Sequence, residues 1–257
     1  MRTIISALLL LVVIPAISFA QKTVSAASII ESINNNQPVS IKDAEITGTI
    51  DFTNLNNKKL ERTNSNDKTY ISAINVPVTF SNCKFTGKVI GYYNPDNGKS
   101  FINNSTVYNA NFNADVNFEN CSFQDDVSFK YSVFNNKTSF AGSRFNEEAE
   151  FKYTSFKNGP VFKSVIFKEE AIFKYVDFTA NFDFSNTVFE GDADFKYAQF
   201  KHAGSFAGAS FKDDADFKYA AFVSAVNLKG ASFSGSNDFK YTTLDNHQTN
   251  MHELVNK

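Results

Sequence analysis

From Phe112 onward, phenylalanine recurs at alternating intervals of five and six residues. One series runs Phe118, Phe129, Phe140, Phe151 and on to Phe217, Leu228 and Phe239; the other runs Phe112, Phe123, Phe134, Phe145 and on to Phe222, Phe233 and Leu244. Of these 25 positions, 23 are Phe and two are Leu, so the basic period is 11. A second period lies over it: Phe-Lys-Tyr occurs at 129–131, 151–153, 173–175, 195–197, 217–219 and 239–241, twice the basic period apart each time. The repeating unit is therefore a double period with four large apolar positions. A right-handed helical coiled coil also has an 11-residue period. It needs apolar spacings of three and four, however, and here they are five and six. The segments are also rich in Phe, Asn, Asp and Ser and poor in helix formers. Four short extended faces per coil fit better. Each face buries one Phe and the mostly small residue two positions before it, such as Ala149, Ala171, Ala193 or Ala215. Stacked coils then pair about 4.8 Å apart, and residues one double period apart form ladders.

Units such as Ala193-Asp194-Phe195-Lys196-Tyr197 and Ala215-Asp216-Phe217-Lys218-Tyr219 resemble the pentapeptide repeat family, whose consensus is A(D/N)LXX. The resemblance covers about residues 107–245, with weaker matches at Ala44-Glu45-Ile46 and Ile50-Asp51-Phe52. It implies an all-β chain: a right-handed quadrilateral parallel β-helix, or solenoid, with about 22 residues per coil and an inward central Phe. The departures are Phe for Leu and an extra residue in every second unit, which should bulge at alternate corners.

The remaining segments are placed around this solenoid. Arg2, the apolar run Ile4 to Phe19 and the small residues Ser18 and Ala20 read as a signal peptide over 1–20, with the mature chain starting at Gln21. The run is short for a membrane span, so an exported protein, periplasmic or secreted and without a span after cleavage, is expected. Residues 21–40 are expected to form an N-terminal helical cap. Ser28-Ile29-Ile30-Glu31 reads as a capping box opening a helix over about 28–35. Such a cap covers the open core of the end coil. The β-helix proper is expected over 41–245, with insertions at about 53–76 and 90–105 and a C-terminal tail over 246–257. The first insertion suggests a hairpin turning near Asn64-Ser65-Asn66-Asp67; the second contains the turn signal Asn94-Pro95-Asp96-Asn97-Gly98.

Composition removes most chemistries. A net charge of -2 disfavours nucleic acid as a partner, and 42% apolar residues disfavour disorder. Two Cys are too few for a disulfide scaffold or a four-ligand zinc site. No nucleophile elbow or phosphate loop is present, and His202, His247 and His252 read as solvated surface. No cofactor and no catalytic residue is expected. Acidic pairs at Asp125-Asp126, Glu147-Glu148, Glu169-Glu170 and Asp213-Asp214 make a stripe. Calcium is the sharp reading and neutralisation of nearby lysines the favoured one, since the stripe thins at Gly191-Asp192 and stops at Gly235-Ser236.

Two sets of residues are candidates for binding. Tyr131, Tyr153, Tyr175, Tyr197, Tyr219 and Tyr241 fall at one corner, with Lys130, Lys152, Lys174, Lys196, Lys218 and Lys240 before them. They are read either as rings that stack to close the corner, at about 0.5–1.5 kcal/mol per pair, or as a ridge for a protein or glycan partner. Duplication alone would leave the same repetition, which weighs toward the first. The second set is Lys58, Lys59, Arg62, Tyr92 and Tyr93 in the insertions, where repeat proteins commonly carry function.

Cys83 and Cys121 both stand two residues before a Phe, and their separation equals one coil plus the 90–105 insertion. They are expected to stack in neighbouring coils, within the roughly 4.4–6.8 Å that a disulfide permits. Parallel in-register side chains present a poor torsion for the bond, so a buried thiol pair is the alternative.

The function expected is a non-enzymatic structural or binding module. The resemblance also raises the DNA-mimic role of some pentapeptide repeat proteins, which protects a topoisomerase. That role needs a strongly acidic surface and a cytoplasmic address. A polysaccharide-active β-helix enzyme is the third reading, and the regular rungs offer no catalytic cluster for it.

Overall fold

A computed structural model of the chain describes residues 22–64, 67–96, 105–250 and 253–254. The proposed signal peptide, residues 1–20, lies outside them. The described chain winds through eight coils, each crossing four faces in the same order. One coil comprises Val116–Glu119 on face 1, Ser122–Phe123 on face 2, Val127–Ser128 on face 3 and, within the same rung, Val133–Phe134 on face 4. Consecutive regular coils pair in parallel one double period apart, as in Phe123↔Phe145 and Val133↔Ser155. The chain is thus a parallel β-helix whose strands hydrogen-bond to the coils above and below.

Each face carries its own phenylalanine ladder. On face 3, Phe151, Phe173, Phe195, Phe217 and Phe239 follow one another at 4.8–4.9 Å between ring centroids. Within a rung the rings meet edge to face, as Phe162 meets Phe173 at 5.3 Å and 88°. Both arrangements suit the ring quadrupole. The two extra-residue intervals fall at the corners between faces 2 and 3 and between faces 4 and 1. The five-residue intervals fall at the other two corners, which are tight turns. At one, the Ser132 N–H donates to the Phe129 carbonyl at 3.0 Å, with Tyr131 at φ +55°. This is a type II turn, whose third residue must have positive φ.

The N-terminal helix spans Ala26–Asn34, not 28–35, and its cap is Ser25 rather than Ser28. The Ser25 hydroxyl accepts from the Ser28 N–H at 3.2 Å, and the Ser28 hydroxyl donates to the Ser25 carbonyl at 2.8 Å. The cap therefore sits three residues earlier than the Ser-x-x-Glu pattern suggests, and Glu31 lies inside the helix. Ile29 and Ile33 enter the core beneath the first coil. The strand Lys22–Ser25, not foreseen, precedes the helix and pairs in parallel with Ala44–Thr47. At the other end His247–Gln248 folds back on Thr243–Leu244, and Leu254 is buried.

The two segments that break the period belong to face 4. Lys59–Asn64 and Asp67–Ile74 form an antiparallel hairpin. Its second strand is not wholly an insertion, because Ile74 stacks under Phe112 as a regular rung position. Thr106–Phe112 continues the sheet, and Tyr92–Tyr93 adds antiparallel to its start. The two insertions, distant in sequence, are one small sheet projecting from face 4.

Candidate functional site

The tyrosine corner lies between faces 3 and 4. From Tyr131 to Tyr241 six rings stack at 4.7–4.8 Å with interplanar angles of 3–15°. Five steps at the spacing of adjacent strands make a ridge about 24 Å long. Tyr131, Tyr153, Tyr175, Tyr219 and Tyr241 are 36–44% exposed. Tyr92, from the second insertion, adjoins the stack at 5.5 Å from Tyr131, its ring tilted by 48°. Burial pushes the Tyr131 phenol above its ordinary pKa, and the Tyr153 and Tyr92 phenols beside it add to the rise.

All six ladder tyrosines are left-handed, with φ from +55° to +62°. The equivalent corner between faces 1 and 2 uses Asp43, Asn82, Asn120, Gly142, Ser164, Asn186, Gly208 and Gly230, mostly the residues this backbone favours. Only glycine and, less often, asparagine visit this region cheaply. For other residues the cost is of order 1 kcal/mol or more each.

The lysines stand close to the rings. Lys152, Lys174, Lys218 and Lys240 lie 5.0–5.7 Å from the centroid of the following tyrosine. Lys130 is 4.9 Å from Tyr92 and 3.4 Å from Glu150. Lys196 bridges Asp194 and Asp216 at 3.7 and 3.1 Å, and the Asp216 hydrogen bond raises its pKa above the usual value. The acidic stripe lies on the corner between faces 2 and 3. Lys88 pairs with Asp126 at 2.6 Å, while burial and then neighbouring carboxylates raise the pKa of Glu148 and Glu170. Among the described residues, no three His, Cys, Asp or Glu side chains are grouped to hold a metal ion.

The insertion candidates divide between two sides of the projecting sheet. Tyr93 stacks on Tyr108 at 6.2 Å, Tyr70 stacks on Tyr108 at 5.4 Å, and the Lys58 ammonium lies 4.9 Å from the Tyr108 centroid. Tyr92 lies on the opposite side, with the ladder. Lys59 is exposed in the hairpin, and Arg62 lies in the same strand with its side chain outside the described ones. Tyr70, Tyr108 and Asn109 were not anticipated. Tyr70 pairs with Tyr108 across the same sequence offset that relates the two cysteines.

Cys83 and Cys121 occupy the same corner one coil apart, beside the paired residues Lys84 and Ser122. Both are buried and stand as free thiols in this structure. Burial pushes the Cys121 thiol pKa up to about 12. His202 and His247 are exposed; His252 lies outside the described residues.

The family model for pentapeptide repeats, nine copies long, matches residues 108–155, 151–199 and 195–243, which together span more than half the chain. The chain belongs to the pentapeptide repeat family. The match begins in the strand Thr106–Phe112 and ends in Thr243–Leu244, so it covers the regular coils and leaves out the cap and the hairpin. No curated protein and no solved structure matches the chain. Pentapeptide repeat proteins are generally non-enzymatic, and the fold supports a structural or binding module. No helix among the described residues is long and apolar enough to cross a membrane.

Proposed function

We propose that this pentapeptide repeat protein is an exported, non-catalytic binding module that engages a protein or glycan partner along its Lys-Tyr ridge. The observation that carries the reading is the left-handed tyrosine, repeated six times where the opposite corner holds Asp, Asn, Gly or Ser. A stacked pair contributes about 0.5–1.5 kcal/mol. The backbone cost at each turn is of the same order. Stability alone thus gives little reason to keep six tyrosines over six asparagines, whereas a repeated exposed surface does. Because neighbouring rings cover each other's faces, the accessible parts are the ring edges and the lysine row. A partner therefore meets a line of donors at the rung spacing rather than a stacking platform.

The test replaces Tyr153, Tyr175 and Tyr197 together by Asn, the residue the turn prefers. The expected result is a retained β-helix by circular dichroism, with binding to envelope glycan or envelope protein lost. Undiminished binding would return the ridge to a purely structural role. The export half of the reading has its own check: N-terminal sequencing of protein recovered outside the cytoplasm is expected to begin at Gln21. An intact Met1 there, or retention in the cytoplasm, would overturn it.

A further inference from the structure

Where the tyrosine ladder ends, the two insertions enclose a groove of about 560 Å³. That size falls within the range of small-ligand clefts. Its walls are Tyr131, the first ladder ring, and Tyr92, with Glu61, Asp67 and Lys68 from the hairpin. Asn109 lines it too, from the strand Thr106–Phe112, paired to Tyr92 on one side and Ile71 on the other. Asn109 is only 8% exposed, and its side-chain oxygen has no hydrogen-bond partner. A buried acceptor without a donor is a standing cost to the fold. Ser155 Oγ, on the same sheet next to the ladder, is a second buried polar atom without a partner. Both lie on the face 4 flank of the ridge.

We propose that this groove receives the terminal unit of a neutral, hydroxyl-rich glycan whose following units lie along the face 4 side of the ridge. The inference rests on the reading of the ridge as a binding strip and narrows its partner to a glycan. A hydroxyl both donates and accepts. A sugar unit therefore donates to Asn109, once its amide turns toward the groove, and to the Glu61 and Asp67 carboxylates, and accepts from Lys68. The apolar faces of the sugar meet the edges of Tyr92 and Tyr131. A polyanion end fits less well, because Glu61 and Asp67 stand in the wall. A cationic peptide end fits less well because Lys68 lines the groove and the Lys130 ammonium lies over Tyr92.

Asn109→Leu separates a binding role from a structural one. Removing an unpaired buried acceptor for an apolar group of similar shape should leave the melting temperature unchanged or raise it. Loss of one hydrogen bond to ligand should weaken binding about tenfold. The measurement is calorimetric titration of the mature chain with cellohexaose, maltohexaose and chitohexaose, and with oligogalacturonate and oligolysine as charged comparators. Support is binding of at least one neutral hexasaccharide that Asn109→Leu weakens about tenfold without lowering the melting temperature. The proposal falls if no neutral hexasaccharide binds, if only a charged comparator binds, or if Asn109→Leu leaves the affinity unchanged. If the triple Tyr→Asn variant loses binding while Asn109→Leu keeps it, the groove assignment falls and the ridge reading stands. If both variants bind as the parent does, both fall.

Discussion

Phe173→Ala is expected to destabilise the protein by about 3–5 kcal/mol. Phe173 is fully buried at the centre of the face 3 ladder, 4.9 Å from Phe151 below and 4.9 Å from Phe195 above. Within and between rungs it also meets Phe162, Phe167 and Phe184 edge to face at 5.2–5.8 Å. The substitution therefore removes a whole ring from all of these contacts. Its walls are continuous β-ladders, which relax little, so the upper part of the range is the expectation. Phe173→Leu should cost much less, since Leu228 and Leu244 already fill ladder positions with exposures of 5% and 8%. Urea unfolding of the two variants against the parent makes the comparison. A loss below about 1 kcal/mol for Phe173→Ala would be incompatible with a buried ladder position.

The regular coils were legible because their side-chain period is an integer. An integer repeat returns each residue to the same face, so Phe123, Phe145 and Phe167 stack by counting alone. The same counting placed the tyrosines at one corner. It did not show that this corner is a type II turn, because a tyrosine at a left-handed position contradicts local propensity. That contradiction is what turns a repeated tripeptide into a candidate site. The insertions were less legible for a different reason. Their ends lie on face 4, and long-range parallel pairing such as Tyr70↔Tyr108 leaves no local periodicity. The longer offset of this irregular coil was visible in Cys83 and Cys121. Extending it to Tyr70 and Tyr108 would have joined the two insertions into one sheet. Asn109 carries no sequence signal, since an unpaired acceptor is a property of its surroundings. The helix start was misplaced because Ser25 and Ser28 are both acceptable caps. The strand Lys22–Ser25, which uses Ser25 as its last residue, decides between them.

One rung departs from the rule that the residue two before each Phe is small, and it supplies the second large effect. Phe182 stands at that position on face 1, where Thr138, Pro160 and Val226 stand in other coils. Its ring is nearly buried, 4.8 Å from Phe200 and 5.5 Å from both Phe178 and Phe206. The next coil accommodates it with Gly204, directly paired to Phe182. A Cβ at Gly204 would come within 2.3–2.4 Å of three atoms of that ring. Gly204→Val should therefore cost about 3 kcal/mol by overpacking, since the ring is held by three others. Phe182→Val alone should cost about 2 kcal/mol through the space it leaves. The double variant restores the small-over-small pattern of the neighbouring coils, and each change supplies what the other lacks. It should be more stable than the sum of the singles predicts by about 2 kcal/mol, well beyond the roughly 0.3–0.5 kcal/mol typical of independent sites. Unfolding midpoints of the four proteins complete the cycle. Simple additivity would mean that the Phe182 ring does not occupy the space a side chain at Gly204 would fill.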